Sequence, residues 1–180
     1  MEHVIEAATS GRAKCRGCGQ RIDKGSVRFG EQVENPYNDG VAMLWFHPPC
    51  GAFKRPEPFL EALSKTEANE PPTHIEDRDT LVAAANRGVE HRRLTRLDAV
   101  EHAASGRASC RHCRERIDKG ALRIKLVWFE AGRFEPSGFL HLGCAAAYCE
   151  STDILARVRR FTHELADADW ATVEAGLVGT

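Results

Sequence analysis

Four metal-ligand-type residues recur twice in this chain with their spacing kept. Cys15-x2-Cys18 is followed after 28 residues by His47-x2-Cys50, and Cys110-x2-Cys113 is followed after 27 residues by His141-x2-Cys144. The residues around them repeat as well, at an offset of 95. Ser10-Gly11-Arg12-Ala13 matches Ser105-Gly106-Arg107-Ala108, and Arg21-Ile22-Asp23-Lys24-Gly25 matches Arg116-Ile117-Asp118-Lys119-Gly120. Val27-Arg28-Phe29 then matches Leu122-Arg123-Ile124. The one-residue difference in length falls in the loop before the histidine. A repeat of this kind marks a duplicated structural unit, and every other feature has to be read within it.

Three thiolates and one imidazole form a closed set of four that suits tetrahedral zinc. With no position left for water, each ion is structural rather than catalytic. Two ligands two residues apart grip the metal from one turn. The second pair comes from a distant segment, so the ion closes a loop of roughly thirty residues. A module this small has little core, and the metal supplies the missing stability. Cys50 and Cys144 fall in the first turn of a helix, where the dipole favours a thiolate. Buried free thiols or redox pairs are the competing account, but they have no reason to recur as a spaced set. Cys149, the seventh cysteine, has no counterpart and reads as a buried helical thiol. His102 and His112 also lack counterparts and read as surface histidines.

The local patterns predict small α+β zinc-stabilised modules. Residues 2–8 read as a short helix, and residues 26–33 and 121–129 read as strands. Asn35 to Gly40, which includes Tyr37 and Asn38, is a turn cluster, and residues 131–138 fill the same place in the second copy. The last histidine opens a helix, with Pro48 and Pro49 in its first turn. Residues 79–97 read as a linker helix with Leu81, Val82, Ala85 and Val89 on one face. Residues 152–165 and 167–175 read as C-terminal helices, with Ile154, Leu155, Val158, Phe161 and Leu165 as a core face. The expected organisation is a first module at 1–55, a linker with a helix at 56–97, a second module at 98–149 and C-terminal helices at 150–180.

The net charge of −1 hides an uneven distribution. Residues 11–50 carry +2, residues 106–144 carry +4, and the rest is acidic. Arg supplies 19 of the 25 basic residues, and Arg suits bidentate phosphate contacts better than Lys. No apolar run is long enough to span a membrane, and no secretory signal opens the chain, so a reducing compartment is expected. No phosphate-binding glycine loop or nucleophile constellation is present in the sequence, and a non-enzymatic role is expected.

The joint pattern Ser-Gly-Arg-Ala-x-Cys-x2-Cys, Ile-x-Lys-Gly-x-Val/Leu-Arg and Trp/Phe-x-His-x2-Cys resembles the PARP-type zinc finger. The resemblance covers residues 3–53 and 98–147, and implies two such fingers, each with one structural zinc ion. It further implies recognition of DNA ends and strand breaks rather than sequences. In that family two arginines grip the backbone beside the break, and the matching positions here are Arg12 and Arg28, then Arg107 and Arg123. Apolar loop residues cover the exposed base pair in the family. Here the matching first-copy positions are Asn38 and Ala42, which are polar and small, with Tyr37, Val41 or Met43 as substitutes; in the second copy the candidate is Phe134. The resemblance thus implies a sequence-independent sensor of nicks, gaps and ends; the higher charge of the second copy and its loop aromatic make it the expected stronger binder. A protein-interaction adaptor is the alternative, and recruitment of a repair enzyme through the C-terminal helices, near Cys149 and Phe161, is a third reading. The expected setting is a bacterial cytoplasm, at the nucleoid, or the nucleus if the source is eukaryotic.

Overall fold

The computed structural model describes residues 1–35, 40–67 and 74–178. The chain divides into two compact units, Met1–Glu90 with Phe129–Phe134, and His91–Trp128 with Glu135–Thr180. No helix among the described residues is long and apolar enough to cross a membrane.

The first unit is built on an antiparallel sheet of β1 (Val4–Ala7), β2 (Val27–Glu34) and β3 (Val41–Phe46), in that order. The segment foreseen as a short helix is therefore the strand β1. Ile5 faces inward, as does His3 just before the strand, and β1 pairs with β2 so that Glu6 faces Arg28. Three helices follow: α1 (Pro48–Lys54), α2 (Pro56–Glu67) and α3 (Arg78–Glu90). In α2, Phe59, Ala62, Leu63 and Thr66 are buried, and in α3 Leu81, Ala84, Ala85 and Gly88 are. That spacing puts one apolar stripe of each helix inward. Phe29 stacks on Phe46 at 5.6 Å and meets Phe59 of α2 edge-on at 5.5 Å. Within the stretch expected as a linker, α2 and α3 thus belong to the core of the first unit.

The second unit repeats the sheet with β4 (Leu97–His102), β5 (Leu122–Glu130) and β6 (Arg133–His141). A single turn of 3-10 helix at Arg92–Arg96 leads into β4. The turn between β5 and β6 is only Ala131 and Gly132, at φ +48° and +78°. This two-residue form matches strand twist, so β6 already runs through most of the residues expected to be loop. Three short helices complete the chain: α4 (Ala145–Cys149), α5 (Leu155–Phe161) and α6 (Asp167–Val178). Val158 and Phe161 of α5 are buried, as is Val173 of α6, within a core that includes Leu97, Ile124, Leu126 and Leu140. The β4–β5 pairing shifts between Leu97 and Val100, and there the Val100 N–H donates to Thr162 Oγ1 at 2.8 Å. A backbone donor freed by the irregularity is thereby satisfied from the end of α5.

Candidate metal centres and nucleic-acid interface

The Cys-x2-Cys turn of each unit hangs on the last strand of its sheet. Arg16 N–H donates to the Trp45 carbonyl and Arg111 N–H to the Phe139 carbonyl, both at 2.8 Å. Within the turns, Cys15 N–H bonds the Gln20 carbonyl and Cys110 N–H the Glu115 carbonyl, again at 2.8 Å. The His-x2-Cys pair is delivered by the end of β3 or β6 and the helical turn after it. Cys50 sits in α1 with two prolines ahead of it, while Cys144 ends a 3-10 turn that runs into α4.

These elements bring together Cys15, Cys18, His47 and Cys50, and separately Cys110, Cys113, His141 and Cys144. In each set the ligand atoms lie within 4.8 Å of one another. Cys18 Sγ is 3.4 Å from His47 Nδ1, Cys113 Sγ is 3.4 Å from His141 Nδ1, and Cys144 Sγ is 4.0 Å from it. Ligands about 2.3 Å from a tetrahedral ion stand about 3.8 Å apart, so the donor sets fit zinc. The other ring nitrogen of each histidine donates to a carbonyl, His47 Nε2 to Arg21 and His141 Nε2 to Arg116, both at 3.2 Å. That bond fixes the tautomer and leaves Nδ1 for the metal. Each tetrad holds one structural zinc ion.

Without the metal, the ligand groups of each tetrad shift one another's protonation. In the first, the Cys15 and Cys18 thiols raise His47 to about 10 despite its burial, and bonds from Cys15 and Cys50 hold Cys18 far below the usual thiol range. In the second, burial raises Cys110, but N–H donation from His141, Cys113 and His112 outweighs it and lowers the thiol to about 7. Burial, with Cys110 beside it, pushes Cys144 up to about 12. Cys149 is buried and likewise raised by burial to about 12, an inert thiol as expected.

Residues 6–91 match the family model described as the poly(ADP-ribose) polymerase and DNA-ligase zinc-finger region. Over those residues, just under half of the chain, the sequence is that of a PARP-type zinc finger. The match runs past the ligands and through α2 and α3, in agreement with the extent of the first unit. The chain is similar to poly [ADP-ribose] polymerase of Sarcophaga peregrina, 29% identical over 70% of its length, and to poly [ADP-ribose] polymerase 1 of Gallus gallus, 33% identical over 66%. It is also 32% identical to poly [ADP-ribose] polymerase 1 of Xenopus laevis over 65%. The matched stretch spans only 14%, 13% and 12% of those proteins' own lengths.

The arginines matched to the PARP-type pattern separate into two kinds. Arg12 and Arg107 are exposed, on the turn just before each Cys-x2-Cys pair. Arg28 and Arg123 are each only 7% exposed. Arg28 holds Glu6 Oε1 through Nε at 3.1 Å and Nη2 at 2.5 Å, and lies 3.5 Å over the Trp45 ring. Arg123 holds Glu101 Oε1 at 3.1 and 2.6 Å and lies 3.5 Å over Phe139. Each guanidinium is clamped between the carboxylate of the first strand and the aromatic ring of the third. Both arginines expected at the DNA backbone are thus buried and ion-paired, unlike Arg12 and Arg107. Sequence reasoning missed the clamp, although Glu6 and Glu101 repeat at the same offset as their arginines.

The expected base-covering residues also shift. Phe134 is half-buried in the first unit, edge-on to Phe46 at 6.4 Å and 4.9 Å from Phe129, so its ring packs against protein. Tyr37 and Asn38 lie outside the described residues. Val41 is 58% exposed at the start of β3, while Ala42 and Met43 are half-buried. Of the residues marked for partner recruitment, Cys149 and Phe161 are both buried.

Proposed function

We propose that this chain binds DNA strand breaks without reading sequence, as a non-catalytic sensor or repair accessory. The observation that carries the proposal is the pair Arg12 and Arg107, exposed at equivalent turns on two zinc-held frames of the PARP-type family. A guanidinium on a rigid turn grips phosphate oxygens bidentately and positions the duplex without sequence information. Arg28 and Arg123 serve as positioning residues that lock the first strand to the third beneath those turns. Two modest sites on one chain gain avidity when both engage one substrate. The relatives' polymerase activity is not carried over, since the match touches only a small part of their length.

The test compares nicked with intact duplex of one sequence at moderate salt, with and without a zinc chelator. Preference for the nick, abolished by chelation, supports the proposal. Equal affinity for the two duplexes removes the break-specific reading.

A further inference from the structure

The second unit contains a basin of about 510 Å³ that the break-gripping turns do not use. It is lined by Arg93, Arg96, Arg111, His112 and Arg114, with Trp128, Tyr148 and Ser137, and among the described residues no carboxylate lines it. Glu150 stands beside it, 3.6 Å from Arg93. Four guanidiniums with a single carboxylate beside them leave a net positive basin that favours an anion.

The guanidiniums are aimed by the fold. Arg96 Nη1 donates to Tyr148 Oη at 2.6 Å and Nη2 to Ser137 Oγ at 3.1 Å. Its buried Nε finds no acceptor among the described residues. Arg93 Nη1 donates to the Tyr148 carbonyl at 3.0 Å. Arg111 Nε donates to the Ser137 carbonyl at 2.9 Å, and its side chain lies across Gly138, where a Cβ would come within 2.4 Å of it. Arg114 sits at φ +71°, a conformation the first unit gives to Gly19 at +74°. An arginine held where glycine costs less places positive charge at the basin against a local preference.

Trp128 decides the class of ligand. It is 54% exposed, the most open aromatic side chain of the described residues, and Arg96 lies 5.5 Å from its ring centre. An open indole next to several guanidiniums suits an unstacked base flanked by phosphates. Bases inside an intact duplex are stacked and offer no free face to it, and a plain nick bares only its terminal pairs. The geometry points to a single-stranded DNA site in this basin, which takes a flap or overhang next to the break. The inference rests on the break-binding reading for its biological setting but concerns different residues.

Four probes separate the two readings: intact duplex, nicked duplex, the same nick carrying a short oligothymidine flap, and free oligothymidine. The flap is expected to raise affinity over the plain nick. Trp128→Ala should remove about tenfold of affinity for the flapped probe and leave the plain nick unchanged. Arg114→Gly suits the local backbone, and should flatten the salt dependence on the flapped probe by about 0.7 in log–log slope. A nick preferred over intact duplex with no gain from the flap overturns this inference and leaves the break reading standing. Equal binding of nicked and intact duplex, with Trp128-dependent binding of free oligothymidine, does the reverse. Competition by inorganic phosphate that is equal for wild type and Trp128→Ala, with no contribution from bases, reduces the basin to a bare anion site and overturns it too.

Discussion

The two zinc turns share their ligands, their strand attachments and their arginine clamps, yet differ at one backbone position. Gly19 closes the first turn and Arg114 closes the second, both with positive φ. The first turn uses the residue that adopts this conformation without penalty, and the second puts a cation there. Cys18 is half-buried while Cys113 is exposed, and Arg111, His112 and Arg114 surround the latter with side chains open to solvent. The first module is therefore the better staple, and the second the more charged surface. Duplication preserved what holds the metal and allowed the turn around it to diverge.

The comparison is tested most severely at the ligands. Cys50 is fully buried and Cys144 only partly, so Cys50→Ala should do the greater damage. Apparent zinc-binding free energies run to about 10 kcal/mol or more in small modules. Each variant should retain one zinc ion per chain by metal analysis and lose exchange protection in its own unit alone. Arg28→Ala and Arg123→Ala come next. Each removes a buried guanidinium but leaves a carboxylate that is 42% or 37% exposed, so about 2 kcal/mol is expected from chemical denaturation. Arg28→Ala should cost slightly more, since it also uncovers an indole rather than a phenyl ring.

A smaller effect of opposite sign probes the turns themselves. Arg114→Gly should stabilise the second unit by about 1 kcal/mol, and Gly19→Arg should destabilise the first by a similar amount. The smallest effect separates the units by pH. Only the second has His102, whose ring nitrogens face the Gly120 carbonyl and Asp169 Oδ2, each at 2.9 Å. Two acceptors favour the doubly protonated ring, so its pKa is raised above 6.5, first by Gly120 and then by Asp169. The stabilisation is fully present below the ordinary value and fades as pH rises through the raised one. His102→Gln should remove that pH-dependent part of the second unit's melting and leave the first unit's unchanged.

Much of this arrangement was legible in the sequence, because metal ligands at fixed spacing leave little freedom. While the helix expected over 152–165 is only Leu155–Phe161, the tetrads and the central strands fall where the spacing and periodicity put them. The helix α2 did not, although Phe59, Ala62, Leu63 and Thr66 carry a helical stripe. Pro56 and Pro58 argue against a helix when read alone, but in the first turn of a helix a missing N–H costs nothing. The strand β1 was mistaken for a helix because four residues hold too few periods to separate the two. The burial of Arg28 and Arg123 was hidden for another reason. An arginine that grips an external phosphate and one that grips an internal carboxylate look alike until strand pairing sets Glu6 opposite Arg28 and Glu101 opposite Arg123.

The central claim is that exposed arginines on zinc-held turns grip DNA at breaks. It is met most directly by titrating nicked duplex with wild type and with Arg12→Ala/Arg107→Ala over a range of salt, zinc content being measured in parallel. The expected result is two zinc ions in both proteins, weaker binding by the variant, and a log–log salt slope shallower by about 1.8 for two lost phosphate contacts. Unchanged affinity and slope, with both metals in place, would contradict it.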